Sequence, residues 1–168
     1  MIPYRVKQVW HFMRRHPSTQ DIVWVQTRLT VAEQQLFFAQ QTGDQAHAIT
    51  VARTLQQQGY DDERLLVAAL LHDAGKAPGV SIPHRTAMVL IKKIVPGWLD
   101  TLSPQTTGWL APLARAYHHP TIGAKLAQQA ACHPDTVALI RHHQEHNSQL
   151  RDELQEWLRA LQEVDDAN

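Results

Sequence analysis

The stretch from Leu65 to Lys76 has the sequence LLVAALLHDAGK, and it decides the fold. A run of apolar residues ends in a histidine and an aspartate, two side chains that ligate metals. A carboxylate in such a run is costly to bury unless it is paired or binds a metal. Gly75 lets the backbone turn, and Lys76 then adds a cation. A metal and a cation beside a turn suit the handling of phosphate, so we predict a buried helix with a metal site at its end.

The pattern of apolar residues is helical along almost the whole chain, and strand-like alternation is scarce. We therefore predict an all-α protein, a single-domain helical bundle. Residues 1–41 are predicted to form N-terminal helices that pack on or cap the core, and residues 42–168 to form the domain that carries the metal site. The apolar stripes of the N-terminal helices do not distinguish between three roles. These helices could cap the site, mediate a homodimer or complete the core.

Local signals predict where the helices begin and end. Thr30 and Glu33 form a capping-box pattern, and Gly59 has the place of a C-terminal cap. Asn147 and Ser148 can cap the last helix. The predicted helices cover about residues 4–15, 42–58, 62–73, 83–95, 119–131 and 134–146, with a loop over 98–108. A short helix is also predicted around residues 21–25, another after Thr30 that carries Leu36 and Phe37, and a last one that carries residues 150–161.

Composition excludes several classes of function. The chain has 168 residues, with 16 Lys and Arg against 16 Asp and Glu, so its formal net charge is zero. A basic surface for nucleic acid is therefore not expected, nor is electrostatic docking on an anionic membrane. The single cysteine, Cys132, excludes an intrachain disulfide and fits a reducing compartment. No signal peptide or membrane-length apolar run is apparent, and we expect a soluble cytoplasmic protein.

Histidine is unusually frequent, with 11 in the chain. His47 lies four residues before Val51 on an apolar helix face, so it is predicted to point into the core. A lone histidine of this kind is more often a hydrogen-bonded core residue than a ligand. The order of His47, then His72 and Asp73, then further histidines downstream is hard to explain by unrelated core residues. Asp44, one turn before His47, either orients a histidine or caps the helix.

Four segments carry a resemblance to a known family. The first, residues 44–52, is similar to the helix that carries the family's first histidine. The order His47, His72-Asp73, Asp165 resembles the HD superfamily of metal-dependent phosphohydrolases, and residues 70–76 are similar to its LLHDxGK motif. Residues 119–124, HPTIGA, resemble the HPxxGA segment of the two-metal branches, and residues 139–143 resemble the IxxHH segment that follows it. These branches include the HD-GYP cyclic-dinucleotide phosphodiesterases and the HD-type diadenosine tetraphosphate hydrolases. The glycine-tyrosine-proline signature is absent, which disfavours cyclic dinucleotides.

The resemblance implies an HD-type helical bundle over residues 42–168 with two divalent transition-metal ions, Fe, Mn, Co, Ni or Zn. The first ion would be held by His47, His72, Asp73 and Asp165. Asp166 or Asp152 could replace Asp165, or the site could have one carboxylate fewer. Asp73 would bridge to the second ion, which His119, His142 and His143 would complete. Asp73 and Lys76 would be catalytic, and the residues in contact with substrate would be Lys76, His84 and Arg85.

The resemblance implies a metal-dependent phosphohydrolase that acts on a nucleotide or another small phosphoester through a metal-activated water. A small phosphorylated molecule is therefore the expected partner, and nucleic acid and membrane are not. Two alternatives stay open: a non-catalytic HD-type signalling or ligand-binding module, and an oxygenase with a di-iron site.

Overall fold

A computed structural model describes residues 16–77, 84, 91, 94, 95, 97–145 and 148–168. These residues contain helices and no strand, which confirms the all-α prediction. The predicted helix over 4–15, most of the predicted helix over 83–95 and Arg85 lie outside the described residues. The α-helices are α1 Thr19–Gln26, α2 Val31–Ala39, α3 Thr42–Gln57, α4 Glu63–Leu71, α5 Ala111–Gln129, α6 Pro134–His142 and α7 Asp152–Ala167. Short 3-10 helices span Ala74–Lys76, Leu99–Thr101 and Gly108–Leu110.

The capping signals act where the sequence places them. At the start of α2, the Thr30 hydroxyl accepts the amide of Glu33, whose carboxylate accepts the Thr30 amide at 2.8 Å. Asp62 accepts the amide of Arg64 at 2.9 Å and begins α4. Gly59, after α3, has a φ of +92°, a left-handed conformation that glycine adopts without steric cost. Gly59 therefore ends α3 and Asp62 begins α4, and the short turn between them lets α4 pack against α3.

Helix α4 is the centre of the core, because every residue from Leu65 to Leu71 is buried. Helices α3, α6 and α7 pack around it, and the turn at Ala74–Lys76 packs on α5. Val25 of α1 and Phe37 of α2 are fully buried in the same core, so the described N-terminal helices help to complete it. The apolar run of α4 lies in the middle of the bundle, so the end of this helix, with His72 and Asp73 after it, lies in the interior.

Two helix boundaries and one loop differ from the sequence-based prediction. Helix α5 begins at Ala111, well before His119, with Pro112 in its first turn and Pro120 inside it. The predicted loop over 98–108 contains the 3-10 helix at Leu99–Thr101. Helix α6 ends at His142 rather than near residue 146.

The cap predicted for the last helix is also wrong. Helix α7 begins at Asp152 with Arg151 as its N-cap, and no side chain caps it by a hydrogen bond. Acidic Asp152 and Glu153 in its first turn instead provide favourable charge at the helix N-terminus. Among the described residues, no helix has both the length and the apolar character needed to span a lipid bilayer.

Candidate metal centre

His72 and Asp73 end the buried helix α4 and lie deep in the protein. Their exposed fractions are 0% and 3%. The Nδ1–H of His72 donates to the carbonyl of Ala69 at 2.8 Å. That carbonyl belongs to the last turn of α4, where no following helical turn supplies backbone N–H groups to the carbonyls. The same bond therefore completes the helix end and turns Nε2 of His72 toward the interior.

Two other histidines are oriented in the same way. His143, at the end of α6, donates from Nδ1 to the carbonyl of Ile140 at 2.7 Å, and His119 donates to the carbonyl of Ala116 at 2.8 Å. The Ala116 carbonyl is available in mid-helix because Pro120, four residues later, has no N–H. Since a carbonyl only accepts, each Nδ1 must carry the proton when the ring is neutral. Each Nε2 then presents a lone pair, the form in which neutral imidazole binds metals.

The first group of possible ligands joins α3, α4 and α7. His47, His72 and Asp73 each offer a ligand atom within 4.8 Å of the others. Asp165 of α7 completes this group, since its Oδ1 lies 2.6 Å from Nε2 of His47 and 3.4 Å from Nε2 of His72. Three helices therefore bring two imidazoles and two carboxylates to one place.

The second group joins α5 and α6 to the same aspartate. Asp73, His119 and His143 each offer a ligand atom within 4.8 Å of the others. Oδ1 of Asp73 lies 3.3 Å from Nε2 of His119, and the two Nε2 atoms of His119 and His143 are 3.1 Å apart. Asp73 is therefore shared by both groups.

Lys76 contacts the other oxygen of the shared aspartate. Its Nζ donates to Oδ2 of Asp73 at 2.6 Å, and its side chain is 18% exposed. The one-turn 3-10 helix at Ala74–Lys76 makes this contact, because residues three apart lie on the same side of such a helix. Oδ1 of Asp73 thus faces the histidines while Oδ2 faces the ammonium group.

The surroundings shift the pKa values of both Asp73 and His72 toward the charged forms of these side chains. Burial works to raise the pKa of Asp73, but the charges of Lys76 and His72 outweigh it, and the pKa lies well below its ordinary value. Burial likewise works to lower the pKa of His72, but Asp73 and Asp165 outweigh it and raise the pKa to about 9. The first group therefore favours a positive charge at its centre.

The second group favours neutral imidazoles. Burial, then the charges of His72 and His119, lower the pKa of His143 to about 3. Burial and the charge of Lys76 lower the pKa of His119 below its ordinary value. With both rings neutral and both Nδ1 protons bound to carbonyls, neither Nε2 carries a proton, and the two Nε2 atoms lie 3.1 Å apart. Such an arrangement is unfavourable unless a cation lies between them.

Comparison with known proteins agrees with this geometry. Residues 45–165 match the HD domain, a segment that begins two residues before His47 and ends at Asp165. The chain belongs to the HD domain family. Members of this family are typically metal-dependent hydrolases. No curated protein and no solved structure shows significant similarity to the chain.

The donors of this HD domain fit divalent transition metals. Nε2 of His72 and Oδ1 of Asp73 are buried and have no hydrogen-bond partner among the described residues. Buried polar atoms are normally satisfied, so these two atoms fit the role of ligands to a metal ion. Imidazole nitrogens and carboxylate oxygens without thiolate suit Fe, Mn, Co, Ni or Zn. Two ligand groups that share one carboxylate provide places for one or two ions.

The structure does not bring His142 into either group. Its side chain is a quarter exposed, and its Nδ1 lies 2.7 Å from the carboxylate of Glu145. The physical reason is helical geometry, because consecutive residues on a helix point about 100° apart. His143 faces the centre, so His142 faces outward.

The other residues predicted for the site lie in different surroundings. Asp152 and Asp166, the alternatives to Asp165, are both exposed. Asp44 is buried in the first turn of α3, whose N-cap is Gln41, so the capping hypothesis is wrong for Asp44. His84 is partly buried, and Arg85 lies outside the described residues. The carbonyls of Ala69, Ala116 and Ile140, which orient His72, His119 and His143, were not predicted from the sequence. A histidine at the end of a helix, or directly before a proline inside one, is a usable signal for such a contact.

Proposed function

We propose that this HD domain protein is a metal-dependent phosphohydrolase that acts on a small phosphoester, with nucleotides as the leading substrate class. The observation that carries the proposal is Asp73, whose Oδ1 faces two histidine groups and whose Oδ2 accepts a hydrogen bond from Lys76. A shared carboxylate between two groups of donors supports two adjacent ions. A cation beside them supports an anionic substrate.

The ligand assignment follows from the two groups. His47, His72, Asp73 and Asp165 would hold the first ion, and Asp73, His119 and His143 the second. Ions bound in this way lower the pKa of water and neutralise charge on phosphoryl oxygens. The Nδ1 bonds to backbone carbonyls fix the imidazoles in the orientation that binding needs, without side-chain rearrangement.

Lys76 has two roles in this proposal. It keeps Asp73 ionised and oriented through the 2.6 Å bond to Oδ2. An ammonium group has three donors, so one bond to Asp73 leaves two for a phosphate oxygen. Positive charge held in place before the reaction stabilises negative charge that develops on a phosphoryl group.

A small substrate is favoured over a polymer. The formal net charge of the chain is zero, and a protein that binds nucleic acid through its backbone relies on a basic surface. The candidate ligands are nearly all buried, with His72 and His119 at 0% exposure. A buried centre accepts a terminal or flexible phosphate group more readily than a rigid duplex.

Release of inorganic phosphate or nucleotide product tests the proposal. The substrate panel contains nucleoside mono-, di- and triphosphates, dinucleoside polyphosphates and an aryl phosphate, each with and without added Mn or Fe. We expect metal-dependent turnover that His72→Ala and Asp73→Ala abolish together with metal binding. The control is His16→Ala, because His16 is an exposed histidine outside both groups. Wild-type turnover in either site variant, at the same added metal concentration, contradicts the proposal, and so does an absence of turnover across the panel.

A further inference from the structure

A second concave site lies on the side of α5 that faces away from the core. It is a cavity of about 730 Å³. Its walls come from the segment before α5, from α5 itself and from α6. This volume is in the range of pockets that hold small ligands and cofactors.

The charge of this cavity is its distinctive feature. Three basic side chains line it, Arg115, Lys125 and Arg141, and no acidic residue is among the lining side chains. Within the described part of the chain, no carboxylate lies at ion-pair distance from any of the three. The whole chain has equal numbers of acidic and basic residues, so a local group of three cations departs from its average. Clustered like charges repel each other, and an anion relieves that repulsion.

Uncharged side chains in the cavity suit the uncharged parts of a ligand whose anionic group binds the three cations. Thr121 and Gln129 add hydrogen-bonding side chains, and Ile122 adds apolar surface. The wall formed by the segment before α5 is attached to α5, since the His118 ring lies 2.6 Å from the carbonyl of Leu102. The cavity therefore has a fixed wall, donors and cations together.

This site is separate from the metal centre. None of His47, His72, Asp73, His119 and His143 lines the cavity. The two sites nevertheless use the same helices, because Thr121 follows His119 by two residues on α5 and Arg141 precedes His143 by two on α6.

We propose that the cavity lined by Arg115, Lys125 and Arg141 binds a chain of phosphate groups, either free or carried by a nucleotide. Two guanidinium groups offer forked donors that match phosphate oxygens, and Lys125 adds a third positive charge. The site is additional to the proposed hydrolytic centre and does not depend on it.

Calorimetric titration with inorganic triphosphate tests this proposal. The titrations use protein that carries Asp73→Asn, so that removal of bound metal by the ligand contributes no heat. In that background we compare the parent with the double variant Arg115→Gln/Arg141→Gln, with Lys76→Gln, and with Arg159→Gln, an exposed arginine on α7 that does not line the cavity. Circular dichroism melting checks that each variant is folded.

We expect saturable binding to the parent and a dissociation constant at least about tenfold higher in the double variant, since each lost charge-assisted hydrogen bond is worth about that factor. Arg159→Gln should leave the constant within about twofold, and Lys76→Gln should leave a saturable site that the double variant removes. A parallel titration with a nucleoside triphosphate distinguishes the two sources of the phosphate chain. The proposal is overturned if triphosphate does not bind, if the double variant binds like the parent, or if Lys76→Gln alone abolishes binding.

Discussion

Gly75 and Gly123 bring two backbones into direct contact. A Cβ atom on Gly75 would lie 2.1 Å from the carbonyl oxygen of His119 and 2.7 Å from the amide nitrogen of Gly123. No side chain fits at position 75, so the turn that follows Asp73 lies flat on α5. This contact sets the distance between Asp73 and His119, the two residues that connect the first ligand group to the second.

Gly75→Ala should therefore damage both the fold and the metal centre. The added methyl group meets backbone atoms that cannot move aside, so we expect a loss of about 3 kcal/mol in the free energy of unfolding. We also expect weaker metal binding, because Asp73 moves away from His119. Urea denaturation and metal titration measure the two effects.

Gly123→Ala is the matched control for this prediction. A Cβ atom there would lie 3.3 Å from the amide nitrogen of Gly75 and 3.3 Å from Cγ2 of Ile140, which is tight without overlap. Alanine also favours the helix by about 0.5–1 kcal/mol over glycine. We expect a much smaller change than for Gly75→Ala. Equal effects of the two variants would show that the close backbone contact is not what positions the turn.

Lys76→Gln should separate metal binding from turnover. No proposed metal ligand is changed and the glutamine amide can still donate to Oδ2 of Asp73, but the cation beside that oxygen is lost. We expect metal content close to that of the wild type and a fall in kcat of about 10²–10³-fold, the effect of removing one preorganised group that stabilises developing charge. Steady-state kinetics at saturating metal give the measurement. An unchanged kcat in Lys76→Gln would assign Lys76 to stability alone.

Ala131→Gly should stabilise the protein. Ala131 follows α5 with a φ of +57°, and its amide and that of Cys132 bond to carbonyls of the last turn. This is a C-terminal cap whose left-handed position favours glycine. We expect an increase of about 0.5–1 kcal/mol in the free energy of unfolding, measured by denaturation. A loss of stability would mean that the alanine methyl group contributes packing that outweighs the backbone strain.

The buried thiol of Cys132 should react slowly and only at high pH. Burial, with a hydrogen bond and charge from Glu33, raises its pKa to about 12. A raised pKa means that the reactive thiolate forms at higher pH than in a free cysteine. At pH 8 we expect alkylation by iodoacetamide to be much slower in the native protein than in urea, and Glu33→Gln to speed it. Equal rates in the native and unfolded states would contradict the burial of this side chain.

The inward positions of His47, His72 and Asp73 could be predicted from the sequence for physical reasons. An apolar run that ends in His72 and Asp73 must lie in the core, and its carboxylate then needs a cation. Helical periodicity likewise predicts that His47 points inward, where its exposed fraction is 9%. Capping residues at Thr30 and Asp62 are local signals, and the structure follows them.

Other features depend on contacts that sequence patterns do not encode. Pro120 resembles a helix start in the sequence, but α5 continues through it. Pro120 has no N–H for the carbonyl of Ala116, and that carbonyl accepts a hydrogen bond from the His119 ring instead. His142 and His143 are adjacent in sequence and point in different directions on α6. The pairing of Gly75 with Gly123 joins residues distant in the chain, and only the packing of the turn on α5 reveals it.

Metal content per chain is the most direct test of the metal centre. Elemental analysis of protein purified without added metal or chelator should find about two transition-metal ions per chain, and about one in His143→Ala, which removes a ligand of the second group only. A metal content of zero after reconstitution with Mn or Fe would contradict the metal centre, and an unchanged content in His143→Ala would contradict the second group.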